Sequence, residues 1–150
     1  MPTPTSHGSR INRTRFVHQE STVGGVSPGA THNGRVTDQL LSARAVVMRD
    51  LEATGVASAE TVSLLEDAVS ERRWWAEQWP AGEPYVGGLV AQDVQDALLM
   101  RVGRWPVCPR CEDAVHALHI HPELGGPDPV WVCEESGAVV AALGQLSTDS

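Results

Sequence analysis

The chain has no lysine, few aromatic residues and only three cysteines among its 150 residues. An odd number of cysteines cannot close into a complete set of disulfides, which argues against a disulfide scaffold. Residues 1–30 contain no continuous apolar run that could form the core of a signal peptide. No stretch approaches the roughly 18 consecutive apolar residues that a membrane span needs. These absences predict a cytoplasmic protein that does not enter a membrane.

The charge is strongly acidic over most of the chain. The formal net charge is −8, but residues 1–36 hold four arginines against one acidic residue. Residues 37–150 hold the other seven arginines against 18 acidic residues. Such a body repels phosphate backbones and anionic membrane surfaces, so nucleic acid is a disfavoured partner unless the N-terminal arginines bind it.

The first 36 residues are rich in Ser, Thr, Gly and Pro and contain few apolar side chains. This composition cannot bury enough apolar surface to offset the roughly 1 to 2 kcal/mol per residue that is lost when a backbone is ordered. We therefore expect residues 1–36 to form a disordered tail, and residues 147–150 to be disordered as well.

A helical region over 37–104 is predicted from apolar periodicity and capping residues. Thr37 and Ser58 are suited to be the N-caps of two helices, at about 38–54 and 59–79. The short connection between these helices predicts a helical hairpin.

A third helix is expected after a loop. Glycine and proline dominate residues 80–88, which is typical of a loop. Apolar residues then recur on one helical face from Val90 to Met100, and Gly103 is suited to end the helix.

The three cysteines have a spacing that is typical of metal sites. Cys108 and Cys111 have the C-x2-C spacing that lets two thiolates of one tight turn take adjacent corners of a tetrahedron around zinc. Cys133 follows after 21 intervening residues, and Ser136 stands where a complete ribbon-type site has its fourth cysteine. A hydroxyl is a poor zinc ligand at neutral pH, so the fourth donor must come from elsewhere.

Strand geometry selects one of the three histidines between the cysteines. If residues 115–121 form a strand, His116 lies on its core-facing side, and His119 and His121 lie on the opposite side. His119 and His121 would also lie about 10 Å and 16 Å further along the strand than His116, too far to share its site unless the strand bends. The predicted ligands of a structural zinc ion are Cys108, Cys111, His116 and Cys133.

The same region favours a small three-stranded sheet. Turn-forming residues fill 122–129, Ser136 and Gly137 form a second turn, and 139–143 are a short apolar run. So few apolar residues cannot keep a module over 105–146 folded on their own. A metal that contributes on the order of 10 kcal/mol would decide whether the module folds. The predicted fold class is α+β: a disordered tail, a helical hairpin, a third helix and a C-terminal sheet.

The motifs of this module occur in a familiar order: a knuckle Cys-Pro-Arg-Cys, a strand, a turn, and a return strand Val-Trp-Val-Cys. This order resembles the zinc-ribbon or zinc-knuckle family, from which Ser136 is a departure. The segment is also similar to the C-terminal part of uncharacterised small actinobacterial proteins, through Trp105-Pro106, Trp131-Val-Cys133 and Val139-Val-Ala-Ala-Leu-Gly-Gln-Leu146. The first resemblance implies a zinc-binding module, and the second implies no particular function.

Two other interpretations of the cysteines remain open. The pair Cys108 and Cys111 is compatible with a redox motif, but such motifs work at a helix N-terminus, and acidic residues follow Cys111 here. The three thiols are also compatible with a site that has lost its metal together with its fourth cysteine.

The sequence favours a non-enzymatic adaptor or regulatory protein that contacts another protein. It contains no Gly-rich phosphate loop, nucleophile elbow or His-Glu-x-x-His motif. Trp74 lies off the apolar face of its helix and is a candidate contact residue. One alternative is a nucleic-acid-associated regulator that binds through Arg10, Arg13 and Arg15, and another is a metal-dependent hydrolase.

Overall fold

The computed structural model of the chain describes residues 28–112, 116–123 and 125–147. Over these ranges the protein has three α-helices, one 3₁₀ segment and an antiparallel sheet of three strands. The predicted α+β fold class is therefore confirmed. Most of the predicted tail and the last three residues lie outside these ranges. No helix in the described part is long and apolar enough to cross a membrane.

The first helix, α1, spans Pro28–Ala53. It begins ten residues before the predicted start, so Thr37 lies inside the helix and the last nine residues of the predicted tail are helical. Proline is favoured in the first turn of a helix because its φ is already helical and its missing N–H has no partner there. Val36 is also buried one turn before Leu40, which extends the apolar stripe beyond the predicted boundary.

Helix α1 ends where its glycine predicts. Gly55 has a φ of +76°, and its N–H donates to the carbonyl of Glu52 at 3.1 Å. The N–H of Val56 donates to the carbonyl of Leu51 at 3.0 Å. This pair of bonds is a Schellman motif, which satisfies carbonyls that the helix end would otherwise leave unpaired.

The second helix, α2, spans Ala59–Gln78, and Ser58 is its N-cap as predicted. The Ser58 hydroxyl accepts a hydrogen bond from the N–H of Thr61 at 3.2 Å, and the Thr61 hydroxyl accepts one from the N–H of Ser58 at 2.8 Å. This reciprocal capping box fixes the start of the helix. An ion pair between Arg44 and Glu66 joins α1 to α2 in the predicted hairpin.

Residues 80–88 are not the loop that their composition predicted. Pro80–Tyr85 form a 3₁₀ segment, and the third helix, α3, spans Val86–Arg101. The sheet packs directly against the first turn of α3, where a Cβ on Gly88 would lie 3.4 Å from Cγ2 of Ile120, an ordinary van der Waals distance.

Gly82 in the 3₁₀ segment packs under two tryptophans, which gives a test of this packing. A Cβ at Gly82 would lie 2.6 Å from ring atoms of both Trp75 and Trp79, so Gly82→Ala must displace an indole ring. We expect a loss of about 1 to 3 kcal/mol in the free energy of unfolding, measured by urea denaturation. Gly34→Ala is the matched control. That exposed helical site has no atom within 4 Å of the added Cβ, so a gain of about 0.5 to 1 kcal/mol is expected.

The sheet consists of β1 (His119–His121), β2 (Val130–Val132) and β3 (Val139–Ala142), in that order and antiparallel. Residues 119–121 pair with 130–132 in reverse order, with Ile120 opposite Trp131. The first strand is shorter than the predicted 115–121, and the described residues before it form a single bridge between Val107 and Ala117.

One hydrophobic core extends through the helices and the sheet. Trp131 on β2 is fully buried, and its ring packs edge-to-face against that of Trp105, with centroids 5.5 Å apart. The buried helical residues that belong to the same cluster include Leu40, Val47, Leu51, Leu65, Val90, Val94 and Leu98. The module therefore shares its apolar interior with the helices.

A buried carboxylate, which the sequence analysis missed, joins α1 to the sheet. Asp50 is fully buried, and its Oδ2 accepts hydrogen bonds from Nε1 of Trp131 at 2.8 Å and from the N–H of Gly144 at 2.7 Å. Its Oδ1 accepts one from the N–H of Leu146 at 3.0 Å. One turn later, Thr54 accepts a hydrogen bond from Nε1 of Trp105 at 2.9 Å. The C-terminal turns of α1 thus accept hydrogen bonds from the indole N–H groups of both tryptophans of the module.

Candidate metal centre

The structure brings together the four side chains that the sequence predicts as metal ligands. The three Sγ atoms and a ring nitrogen of His116 all lie within 4.8 Å of one another. Within the described ranges, no other group of three or more His, Cys, Asp or Glu side chains is placed to hold a metal ion. The full group is Cys108, Cys111, His116 and Cys133.

Backbone pairing places His116 beside the first knuckle. The N–H of Cys108 donates to the carbonyl of His116 at 2.9 Å, and the N–H of Leu118 donates to the carbonyl of Pro106 at 2.7 Å. These bonds flank the Val107–Ala117 bridge, so Cys108 and His116 are directly opposite one another. Strand parity selects the histidine that lies in this group, but it does not predict this pairing partner.

The second knuckle begins at Cys133, immediately after β2. The N–H of Cys133 donates to the carbonyl of Ala138, and the N–H of Gly137 donates to the carbonyl of Cys133, both at 2.9 Å. Gly137 has a φ of +75°, a conformation that favours glycine and closes this tight turn.

Ser136 has a role in this turn although its side chain is not a metal ligand. Its hydroxyl and its backbone N–H donate hydrogen bonds to the sulfur of Cys133, and these, with a further bond from His116, lower the pKa of Cys133 to about 5. Ser136, which stands where a complete ribbon has its fourth cysteine, therefore stabilises the thiolate of Cys133. Sequence reasoning identified Ser136 as a departure from the family pattern but not as a hydrogen-bond donor.

Two of the distances between the donor atoms fit a tetrahedral zinc ion. Zinc binds sulfur at about 2.3 Å and nitrogen at about 2.05 Å, so tetrahedral geometry requires about 3.8 Å between two sulfurs and about 3.5 Å between sulfur and nitrogen. The Sγ atoms of Cys111 and Cys133 are 3.7 Å apart. The distance from Sγ of Cys133 to Nε2 of His116 is 3.5 Å. Both distances match the edges of the expected tetrahedron.

Without a cation, the sulfurs must share protons. A hydrogen bond to Cys133, together with desolvation and the proximity of Cys108, raises the pKa of Cys111 to about 12. The raised pKa favours the protonated form of Cys111, whose Sγ lies 3.7 Å from Sγ of Cys133. Because metal binding requires every cysteine ligand as a thiolate, a metal that binds here must displace the proton of Cys111.

The imidazole of His116 has one nitrogen for the cluster and one directed away from it. Nε2 contacts the sulfur of Cys133, whereas Nδ1 is buried and has no hydrogen-bond partner among the described residues. Nε2 is therefore the nitrogen available to a metal, and the neutral ring then carries its proton on Nδ1. His119 and His121 lie outside the group, half-buried and exposed respectively.

The fold and site together define a small α+β protein with a Cys3His group that could hold a metal ion. The chain belongs to the family described as a domain of unknown function, DUF8819, whose model matches residues 36–143. The matched region contains Asp50 and all four side chains of the cluster. No curated protein and no solved structure matches the chain. The family description assigns no function, so the resemblance to zinc ribbons remains a prediction.

Proposed function

We propose that the protein is a non-enzymatic zinc-binding adaptor or regulator of the cytoplasm, with one structural zinc ion bound by Cys108, Cys111, His116 and Cys133. The observation that supports this most strongly is the convergence of four donor atoms within 4.8 Å, two of whose separations match the edges of a zinc tetrahedron.

The donor types favour zinc over other common metals. Three thiolates and one imidazole are soft or intermediate ligands, and a tetrahedral set of sulfur and nitrogen is typical of zinc. Calcium and magnesium bind oxygen ligands and would find none in this group. Cys108 and Cys133 are buried, so the metal would be held largely away from solvent.

The number of donors favours a structural ion over a catalytic one. A catalytic zinc site usually has three protein ligands and leaves a position open for water or substrate. Four protein side chains complete a tetrahedron and leave no such position. The hydrolase alternative would require one of the four to leave the metal.

The adaptor part of the proposal is supported by the surface. Trp74 on α2 is 66% exposed, and Trp79 at the end of the same helix is 43% exposed. Large aromatic side chains that stay in contact with water are typical of sites that bind another protein. The acidic body disfavours a nucleic-acid partner.

The test of the zinc site is elemental analysis of reduced protein that was purified without added metal. We expect one zinc per chain, and less than about a tenth of an equivalent would contradict the site. A cadmium- or cobalt-substituted sample would show thiolate charge-transfer absorption if the cysteines bind the metal.

The test of the partner class is titration with DNA and RNA at low salt. We expect no binding to the acidic body. Binding that weakens steeply with salt and disappears when residues 1–36 are removed would favour the nucleic-acid-associated regulator over the adaptor.

A further inference from the structure

We infer that the metal centre is a redox switch: a peroxide oxidises Cys111, a disulfide forms between Cys111 and Cys133, and the metal leaves. This inference rests on the proposed zinc site and assigns a mode of regulation to it. The observations that support it are the unequal exposure of the three cysteines and the distance between two of their sulfurs.

Only one of the three cysteines is open to an oxidant in solution. Cys108 is 4% exposed and Cys133 is fully buried, whereas Cys111 is half-buried. Cys111 also lies between two exposed residues, Arg110 and Glu112. A small neutral oxidant such as hydrogen peroxide therefore meets the sulfur of Cys111 first, because oxidation of a thiolate depends on access to it.

The neighbouring sulfur is placed to resolve the oxidised cysteine. Sγ of Cys133 lies 3.7 Å from Sγ of Cys111, and a disulfide bond requires about 2.05 Å. A shift of under 2 Å between the two sulfurs closes this gap. The buried Cys133 thus reacts with the oxidised Cys111 and not with peroxide from the solvent.

The chemistry balances with one peroxide per disulfide. The thiolate of Cys111 attacks one oxygen of hydrogen peroxide, an S–O bond forms, the O–O bond breaks, and hydroxide leaves. The thiolate of Cys133 then attacks the sulfenic sulfur, an S–S bond forms, the S–O bond breaks, and a second hydroxide leaves. Two thiolates lose two electrons in total, and the peroxide gains them.

Loss of the metal follows from the number of ligands. The disulfide removes two of the four donors and leaves only Cys108 and His116, which cannot complete a zinc site. Because metal binding and folding of a small module are coupled, release of zinc also weakens the structure around both knuckles. Oxidation would thereby change the surface of the module around the two knuckles.

The experiment adds hydrogen peroxide stepwise to the zinc-loaded full-length protein. It follows released zinc with a chromogenic chelator, free thiols by alkylation, and the disulfide by peptide mapping. We expect one zinc released per disulfide formed, a link between Cys111 and Cys133, and a Cys108 that remains available for alkylation after denaturation. Treatment with a dithiol reductant and zinc should restore the starting protein.

Two matched variants separate the roles of the cysteines. Cys108→Ser and Cys111→Ser each remove one thiolate ligand and leave two cysteines. At equal peroxide we expect Cys108→Ser to form the intramolecular disulfide and Cys111→Ser to form at least tenfold less. Circular dichroism before oxidation shows whether both variants are folded. If either is not, peptide mapping of the wild-type protein shows which cysteines form the disulfide.

A disulfide that includes Cys108, or conversion of Cys111 to sulfinic or sulfonic acid without a disulfide, would overturn the inference while leaving the zinc site intact. Release of zinc with no loss of thiols would overturn it as well. If the fresh protein contains no zinc, the proposed function fails first, and the inference fails with it.

Discussion

His116→Ala should release the zinc ion, whereas His121→Ala should leave it bound. His116 places Nε2 3.5 Å from the sulfur of Cys133, which is the separation of two ligands on one zinc ion. His121 is exposed at the end of β1 and lies outside the cluster. Apparent binding free energies of structural zinc are about 10 to 16 kcal/mol, so the loss of one of four ligands removes a large part of the stability of the module.

The measurement is zinc content after purification, combined with thermal unfolding followed by circular dichroism. We expect His116→Ala to retain less than about a tenth of an equivalent and to unfold at a lower temperature than the wild-type protein. His119→Ala serves as a second control on the same strand. If His121→Ala loses zinc and His116→Ala keeps it, the assignment of the ligand from strand parity is wrong.

Predictions from local signals were the most accurate ones. The capping of α2 by Ser58 and the end of α1 at Gly55 depend on residues within a few positions of one another, and both are found in the structure. The parity that distinguishes His116 from its neighbours is also a local property, because alternate residues of an extended chain face opposite sides. Such features can be derived from a short window of sequence.

The errors came from packing between distant segments. The composition of residues 80–88 predicts a loop, but Gly82 is required where two indole rings approach the backbone closely. The predicted start of α1 is ten residues too late because composition groups Val36 with the tail, although the burial of Val36 depends on tertiary contacts. In each case a residue with a poor local propensity was retained for a contact that the sequence alone does not show.

Asp50 illustrates the same limit. On the sequence it is one of several acidic residues in a helix, and acidic helical residues are most often exposed. Its partners are 81, 94 and 96 residues away along the chain. A buried acidic residue is expected to have hydrogen-bond partners, but a single sequence does not reveal which acidic residue is the buried one.

Asp50→Ala should be among the most destabilising substitutions in the protein. It leaves three donors without an acceptor: the buried Nε1 of Trp131 and N–H of Gly144, and the partly buried N–H of Leu146. A hydrogen bond to a charged group contributes about 1.5 to 3 kcal/mol, and each unsatisfied buried donor costs about 1 to 3 kcal/mol. We therefore expect a loss of about 4 kcal/mol or more in the free energy of unfolding, measured by urea denaturation of the zinc-loaded protein.

Asp50→Asn keeps the shape of the side chain but changes its hydrogen bonds. The remaining amide oxygen can still accept the bonds from Trp131 and Gly144, but the new NH₂ group faces the N–H of Leu146, so two donors oppose each other. A loss of about 2 kcal/mol is expected, intermediate between the wild-type protein and the alanine variant. Glu52→Ala, at an exposed position on the same helix, should change stability by less than about 0.5 kcal/mol. If Asp50→Ala were as stable as Glu52→Ala, the carboxylate would not be what attaches the sheet to α1, and shared apolar contacts alone would hold the module in place.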